Sequence, residues 1–310
     1  MRTGTRRHHI KKTIMRLKKT IKLLVPPIIP KMMLRMRKAS KNTLTESPLP
    51  QIQHHSNKII LIGNGPSLTK TVELYKDEII KNDRIAANFF ASSDYYEQLR
   101  PNIYLFADPA FFEVPDNQKK SIATLFDALI NKTSWPLNLI VPFAAKDAPL
   151  LATLKKNSNI RIDYYFISEQ NVGAMPLYDA WDKNFICPPF QNVMNVAIYL
   201  SLFWGYQETY LVGVDMSSLE DIRVDQETNE LFSIDRHFYN NKDVYSDKKL
   251  FDDKRGRIRS DWKLHEYIYA FGRMFECFYE LKKYADYKGL KIYNASEYSW
   301  INVFERRKLK

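Results

Sequence analysis

Lys58 to Leu68, KIILIGNGPSL, sets a run of β-type apolar residues ahead of two glycines and a short polar turn, and then opens a helical pattern. Glycines at 63 and 65 let the backbone bend sharply and approach a ligand, and the amides at the start of the next helix point toward an anion. Ser67 is placed to cap that helix, and Asn64 can donate its amide to a phosphate or a sugar. A plain tight turn would use the same residues. The pair Gly63 and Gly65 meets only part of the dinucleotide fingerprint G-x-G-x-x-G, because Leu68 stands at the third glycine. Asn88 ends the second apolar run where an acidic ribose ligand is expected, which argues against NAD while leaving an amide that can bond a nucleotide.

Outward from this stretch, short β-type runs alternate with helical patterns: RIAANFF, IYLFAD, LNLIVPF, RIDYYFI, ETYLVGVD and LKIYNAS. Such alternation predicts an α/β fold with a mainly parallel, Rossmann-like sheet covered by helices on both faces. Three helices are legible. Residues 69–81 carry Val72, Leu74, Tyr75, Ile79 and Ile80 between charges, residues 192–204 are apolar nearly all round, and a long stripe from Leu264 to Leu281 runs until Gly289.

Ligands of open α/β sheets bind beyond the carboxyl ends of the strands, so Asp108 and Asp215 fall on the functional edge. Asp108 can bind a sugar hydroxyl, a ribose or a metal, or simply open a turn with Pro109. Asp215, beside Gly213, can orient a catalytic group or cap the next element. It has no second carboxylate at metal-ligand spacing and no D-x-D motif follows a β-run, so a metal site is not expected.

Between Asp215 and Asp261 the periodicity dissolves into polar and charged residues, which predicts an insert at about 216–260 acting either as a lid over the site or as a surface loop. His237 lies within it, in Asp235-Arg236-His237-Phe238-Tyr239, where an imidazole can accept a hydroxyl proton at neutral pH. Four of the six histidines fall before the first strand, and His265 lies off the apolar stripe of its helix, which leaves His237 as the candidate base.

The net charge of +12 is concentrated at the N-terminus: residues 1–45 hold 14 Lys and Arg and no Asp or Glu, so residues 46–310 carry 12 − 14, or −2. Nucleic-acid binding is therefore not expected of the domain, and no aromatics interleave with the basic residues of the tail. Ile10, Ile14, Leu17, Ile21 and Leu24 recur at helical spacing among lysines and Arg16, the pattern of a helix that lies on an anionic membrane surface. A disordered basic tail has the same composition. Residues 46–57 read as a linker and 58–310 as the domain. No apolar run is long enough to span a bilayer and no secretory signal is legible, so a cytoplasmic, peripheral protein is expected. Cys187 and Cys277 form neither a disulfide framework nor a zinc spacing, and both read as core thiols.

The segments GNGPSL, AANFF, LFADPAFF, GYQETYLVGVD and LKIYNASEYSWINVF, in that order, resemble bacterial sialyltransferases of glycosyltransferase family 42 and the related DUF115 group of Rossmann-like transferases. The resemblance implies a GT-A-like variant of the fold and a CMP-sugar donor held by Asn64, Ser67, Asn88 and Asp108. It implies His237 as general base, no metal, and a tyrosine such as Tyr239 near the leaving phosphate. Where the family carries an arginine and a Thr-Ser-Gly turn, this chain has CPPFQN, so Gln191, Asn192 and Asn195 at a helix start stand in for that turn. The family usually has asparagine at the position of Asp108.

The activity implied is inverting transfer of a sugar, sialic acid or a related acidic one, from a CMP-type nucleotide to a cell-surface glycan or lipid-linked glycan acceptor. The DUF115 likeness implies instead a magnesium-dependent pyrophosphokinase or phosphotransferase, and a membrane-bound interaction protein without catalysis is the reading from a different class. A homo-oligomer is compatible with each.

Overall fold

The computed structural model describes residues 49–114, 118–170, 172–234, 237–238, 247–249 and 263–310, without the side chains of 221, 232–234 and 247–249. The basic N-terminal segment, Tyr239 and much of the 216–260 insert lie outside the described residues. The chain divides into two compact units, whose described parts are 168–187, apart from 171, and the remainder.

The larger unit is built on β1 (Lys58–Ile62), α1 (Leu68–Lys81), β2 (Asp83–Ala87), α2 (Tyr95–Leu99), β3 (Ile103–Leu105), α3 (Lys119–Lys132), β4 (Leu137–Pro142), α4 (Pro149–Leu154) and β5 (Ile160–Tyr165). After the smaller unit and its helix α5 (Leu177–Asp182) it continues with α6 (Val193–Phe203) and β6 (Glu208–Val212). It closes with α7 (Leu264–Lys288), β10 (Lys291–Asn294) and β11 (Glu305–Arg306). Eight strands form one sheet in the order β11-β10-β6-β1-β2-β3-β4-β5, and every pairing is parallel. Parallel neighbours need crossovers, and the helices that supply them cover both faces, which is the Rossmann-like α/β architecture expected from the sequence.

Alternation along the strands sets the two layers. Ile60 and Ile62 join α1 residues Leu68, Val72 and Ile79 and α3 residues Ile122, Leu125, Phe126 and Leu129 in one core cluster. Ile59 and Leu61 are equally buried and turn to the other layer, where α6 lies against β1 and β6 and meets α7. Apolar on all sides, α6 is buried continuously from Met194 to Leu202. On α1, Leu74 and Ile80 are exposed, while Leu68, Thr71, Val72 and Ile79 are buried and Tyr75, where the helical geometry breaks, packs against the core.

Residues 49–57 are hydrogen-bonded to the domain. At the amino edge of β2, the carboxylate of buried Asp83 accepts the His55 amide at 2.9 Å, the Tyr206 hydroxyl at 2.8 Å and the Asn102 side-chain amide at 2.6 Å. The Trp204 indole donates to the Pro50 carbonyl and Arg161 to that of Gln51. A buried carboxylate is tolerable when several donors meet it.

The insert is more regular than its composition predicts. Strands β7 (Ile222–Val224), β8 (Leu231–Ile234) and β9 (Asp247–Lys249) pair antiparallel in a separate sheet. The β7–β8 turn is organised by Asp225, whose side chain accepts from the amides of Glu227 and Thr228 and from the Thr228 hydroxyl, with Asn229 at a positive φ of 56°. This Asx-type turn fixes the hairpin register.

In the smaller unit, residues 168–170 and 185–187 run antiparallel through a Glu169 to Ile186 bridge, with Gln170 N–H on the Phe185 carbonyl and Cys187 N–H on that of Ser168. Burial pushes the Cys187 thiol up to about 11, and burial likewise raises that of Cys277 on α7, so both stay protonated thiols at neutral pH.

Candidate functional site

The chain builds the sheet outward from β1 to β5 and then returns to lay β6 on the other side of β1. This reversal opens a crevice at the carboxyl ends of β1 and β6, the place where ligands bind in open parallel sheets. Gly63, Asn64, Gly65 and Ser67 leave β1 there, Asn88 leaves the neighbouring β2, and Gly213 and Asp215 leave β6.

The glycines are required by the closeness of the two turns. Gly63 N–H donates to the Val212 carbonyl and Gly65 N–H to that of Gly213, each at 2.8 Å. A Cβ at Gly63 would lie 2.3 Å from the Gly213 oxygen, and one at Gly65 would lie 2.4 Å from the Asp215 carboxyl carbon. Gly213 itself has φ +63°, a conformation open to glycine.

Asp215 holds the amide that the sequence offers to an anion. Its carboxylate accepts the Ser67 N–H at 2.9 Å and the Ser67 hydroxyl at 2.5 Å. Ser67 accordingly makes no side-chain cap on α1, contrary to the capping role expected of it. The bend after β1 therefore meets an internal carboxylate at Ser67. Burial raises the Asp215 pKa, and the two Ser67 hydrogen bonds work against that shift.

Open hydrogen-bonding capacity lies on the β2 side of the crevice. Asn64 donates its side-chain amide to the Ala87 carbonyl at 3.2 Å, which turns its Oδ1 the other way, and that buried oxygen has no partner among the described residues. Asn88 stands at φ 56° with its carbonyl held by the Tyr104 hydroxyl at 2.6 Å, and its buried Oδ1 also lacks a partner. Buried polar atoms of this kind are rare and mark places where a ligand or water completes the set. Left-handed backbone at a non-glycine residue is likewise concentrated at functional sites.

Gln191, Asn192 and Asn195 build the start of α6. Asn192 accepts the Asn195 amide at 2.8 Å as the helix cap, and the Asn195 oxygen accepts the Gln191 amide at 3.1 Å. The Asn192 amide reaches the Met216 sulfur across to the β6 turn, while the buried Asn195 Nδ2 has no hydrogen-bond partner among the described residues. Asp108 is exposed and its Oδ1 accepts the Ala110 amide, opening the turn with Pro109.

Described residues of the insert reach the same crevice. Phe238 N–H donates to the Asn64 carbonyl at 3.1 Å, and its ring stacks on Tyr95 at 5.5 Å and tilts against Phe90 at 6.0 Å. His237, the residue that precedes Phe238, is half-buried. His265 is exposed at the start of α7. Among the described residues, no three His, Cys, Asp or Glu side chains gather as a metal site, and no helix is long and apolar enough to cross a membrane.

The segment after β10, for which the sequence predicted no site residue, also reaches the β6 turn. Ser296 accepts the Val214 amide, the Ser299 hydroxyl donates to the Val214 carbonyl, and the Trp300 amide donates to that of Asp215 at 2.8 Å. Its signal was available: NASEYSWIN leaves the strand next to β6, on the same functional edge.

The fold defines the class: a Rossmann-like α/β domain whose candidate site lies at the switch point of its sheet. No family model matches the sequence and no curated protein aligns with it. Among solved structures the chain is similar to the MAf glycosyltransferase from Magnetospirillum magneticum AMB-1, with 14% identity and a TM-score of 0.49 over 88% of this chain. The chain spans 37% of the length of that protein.

Proposed function

We propose that this protein is a glycosyltransferase that moves a sugar from a CMP-type nucleotide donor to a glycan or lipid-linked glycan acceptor, with inversion and with His237 as general base. The observation that supports this reading is the seating of Phe238 on the Asn64 carbonyl, which brings the insert that carries His237 to the turn of Asn64, where the amide oxygens of Asn64 and of Asn88 have no partner among the described residues. Amide oxygens accept, so they suit the ribose hydroxyls or exocyclic amino group of a nucleotide, and Asn195 Nδ2 can donate to a phosphate or sugar oxygen.

In the proposed step His237 takes the acceptor hydroxyl proton while that oxygen attacks the anomeric carbon. The bond from that carbon to the CMP phosphate oxygen breaks, and the departing phosphate keeps the electron pair. Tyr239 is assigned to the leaving phosphate, and Gly63, Gly65, Ser67 and Asp215 keep the floor of the crevice rigid. Likeness to glycosyltransferase family 42 at GNGPSL and GYQETYLVGVD supports a CMP-linked acidic sugar, and the reading calls for no metal. A magnesium-dependent phosphotransfer would need Asp108 and Asp215, but Asp215 is engaged by Ser67 and Asp108 by its own turn.

The test is a thermal-shift titration with CMP, CDP, UDP, ATP and NAD. Selective stabilisation by cytidine nucleotides is expected, and His237→Ala should retain it while losing turnover. Preference for ATP only with Mg²⁺, or wild-type turnover in that variant, overturns the reading. Residues 1–45 are proposed to hold the protein on an anionic membrane surface, and their deletion should abolish co-sedimentation with anionic vesicles.

A further inference from the structure

Tyr298 and Trp300 stand exposed on the segment that braces the β6 turn, with 47% and 38% of their surfaces open to solvent. Single exposed apolar residues are ordinary, but these two are neither isolated nor loosely held. Their polar ends meet on one carboxylate oxygen. The Tyr298 hydroxyl donates to Glu220 Oε1, and the Trp300 indole N–H donates to the same atom at 2.8 Å and to the Tyr298 oxygen at 2.9 Å.

The backbone beneath them is equally fixed. Trp300 N–H is on the Asp215 carbonyl, Ile301 N–H is on the Ser299 hydroxyl, and the Asn294 side chain donates to the Ile301 carbonyl. Rings pinned at their polar ends present their carbon faces in a set geometry, so little side-chain freedom remains to be lost on binding. The pair also sits one backbone hydrogen bond from Asp215, at the carboxyl end of β6.

We propose that Tyr298, Trp300 and Glu220 form a saccharide-binding platform, the subsite for the acceptor glycan. A pyranose ring stacks its C–H face on the aromatic pair while its hydroxyls donate to the Glu220 carboxylate. Assignment of this sugar as the acceptor rests on the glycosyl-transfer reading, whereas sugar binding itself does not.

Chemistry selects this occupant. A wholly apolar partner would strip water from Glu220 without giving its carboxylate a donor. A phosphate-bearing ligand or an anionic bilayer on the two rings would meet the like charge of the exposed Glu220 carboxylate. A saccharide offers weakly positive C–H groups to the negative ring faces and hydroxyl donors to the carboxylate at once.

The test uses the full chain without donor and observes saturation transfer by NMR to lactose, cellobiose, maltose and chitobiose. Transfer to the ring C–H protons of at least one is expected. It should persist in Trp300→Phe and fall about tenfold in apparent affinity in Trp300→Ala, equivalent to about 1.4 kcal/mol. Glu220→Gln should weaken it as well, and circular dichroism should show all variants folded. No transfer from the wild type, equal affinity in Trp300→Ala, or binding of choline in place of every saccharide overturns the platform. Saccharide binding that depends on Trp300, in a protein that turns over no nucleotide sugar, upholds the platform and removes the transferase reading instead.

Discussion

The carboxylate of Asp215, on the turn after β6, accepts both the backbone amide and the hydroxyl of Ser67 at the start of α1. The side chain thus occupies the electrostatic position in which an external anion would be held, where the helix dipole favours negative charge. Burial nonetheless raises its pKa, and this has a definite sign. The folded protein keeps the proton to higher pH than the unfolded chain does, so the folded state binds more protons between the two values. Stability then falls as pH rises from the ordinary carboxylate range through the raised value. Asp215→Asn keeps an acceptor for Ser67 and cannot ionise. Its stability relative to wild type should climb with pH across that window and level off above it, as followed by urea unfolding from about pH 4 to about pH 8. A difference that does not change with pH removes the carboxyl as the titrating group.

Contact between Gly65 and the Asp215 carboxyl sets a second expectation. A Cβ at position 65 would lie 2.4 Å from Asp215 Cγ, so Gly65→Ala must push the two turns apart. Such overpacking costs about 1–3 kcal/mol. In an Asp215→Ala background the obstructing carboxyl is gone and the penalty should shrink, giving a coupling of about 0.5–3 kcal/mol in a denaturant double-mutant cycle. Equal penalties in both backgrounds would place the strain elsewhere, at the β1 and β6 backbones.

The seven β-type runs and the three helices of the sequence all appear at the expected places, because burial on both faces of a parallel sheet demands continuous apolar stretches that composition cannot hide. Helix α3 obeys the same rule through Ile122, Leu125, Phe126 and Leu129, and its spacing was equally legible. The crevice was legible as a location, since strand ends and the returning β6 define it. Its internal wiring was not. Whether the Ser67 amide meets a ligand or Asp215 is decided between residues 148 positions apart, and no local pattern carries that information. The β7–β8 hairpin was hidden by its polar composition, although Asp225 and Asn229 are the residues that such a turn calls for.

Asn88 separates stability from binding. Its φ of 56° costs an ordinary side chain roughly 1–2 kcal/mol, less for asparagine and little for glycine. Asn88→Gly should therefore melt at or above the wild-type temperature, and Asn88→Ala below it. Both variants lose the buried Oδ1 assigned to the nucleotide, so both should show a smaller CMP-induced rise in melting temperature. Full retention of that rise in Asn88→Gly would confine Asn88 to a backbone role.

Phe238 ties the insert to the domain by three contacts, the backbone hydrogen bond to Asn64 on the glycine bend and the rings of Phe90 and Tyr95 beyond β2. Aromatic pairs contribute about 0.5–1.5 kcal/mol each beyond the area they bury. Phe238→Ala removes both ring contacts and leaves the backbone bond to compete alone with water, while Phe238→Tyr preserves the stack. Local opening free energy at this point should then drop by about 1–3 kcal/mol in the alanine variant, which accelerates amide exchange at position 238 by roughly 10- to 100-fold. Under the proposed mechanism, His237 is held at the site through this neighbouring contact. Turnover should therefore fall in Phe238→Ala with CMP-induced stabilisation unchanged, and Phe238→Tyr should restore both turnover and exchange protection. Rapid exchange with full turnover would show that His237 acts without this anchor, and slow exchange in the alanine variant would show that the Asn64 bond holds the insert unaided.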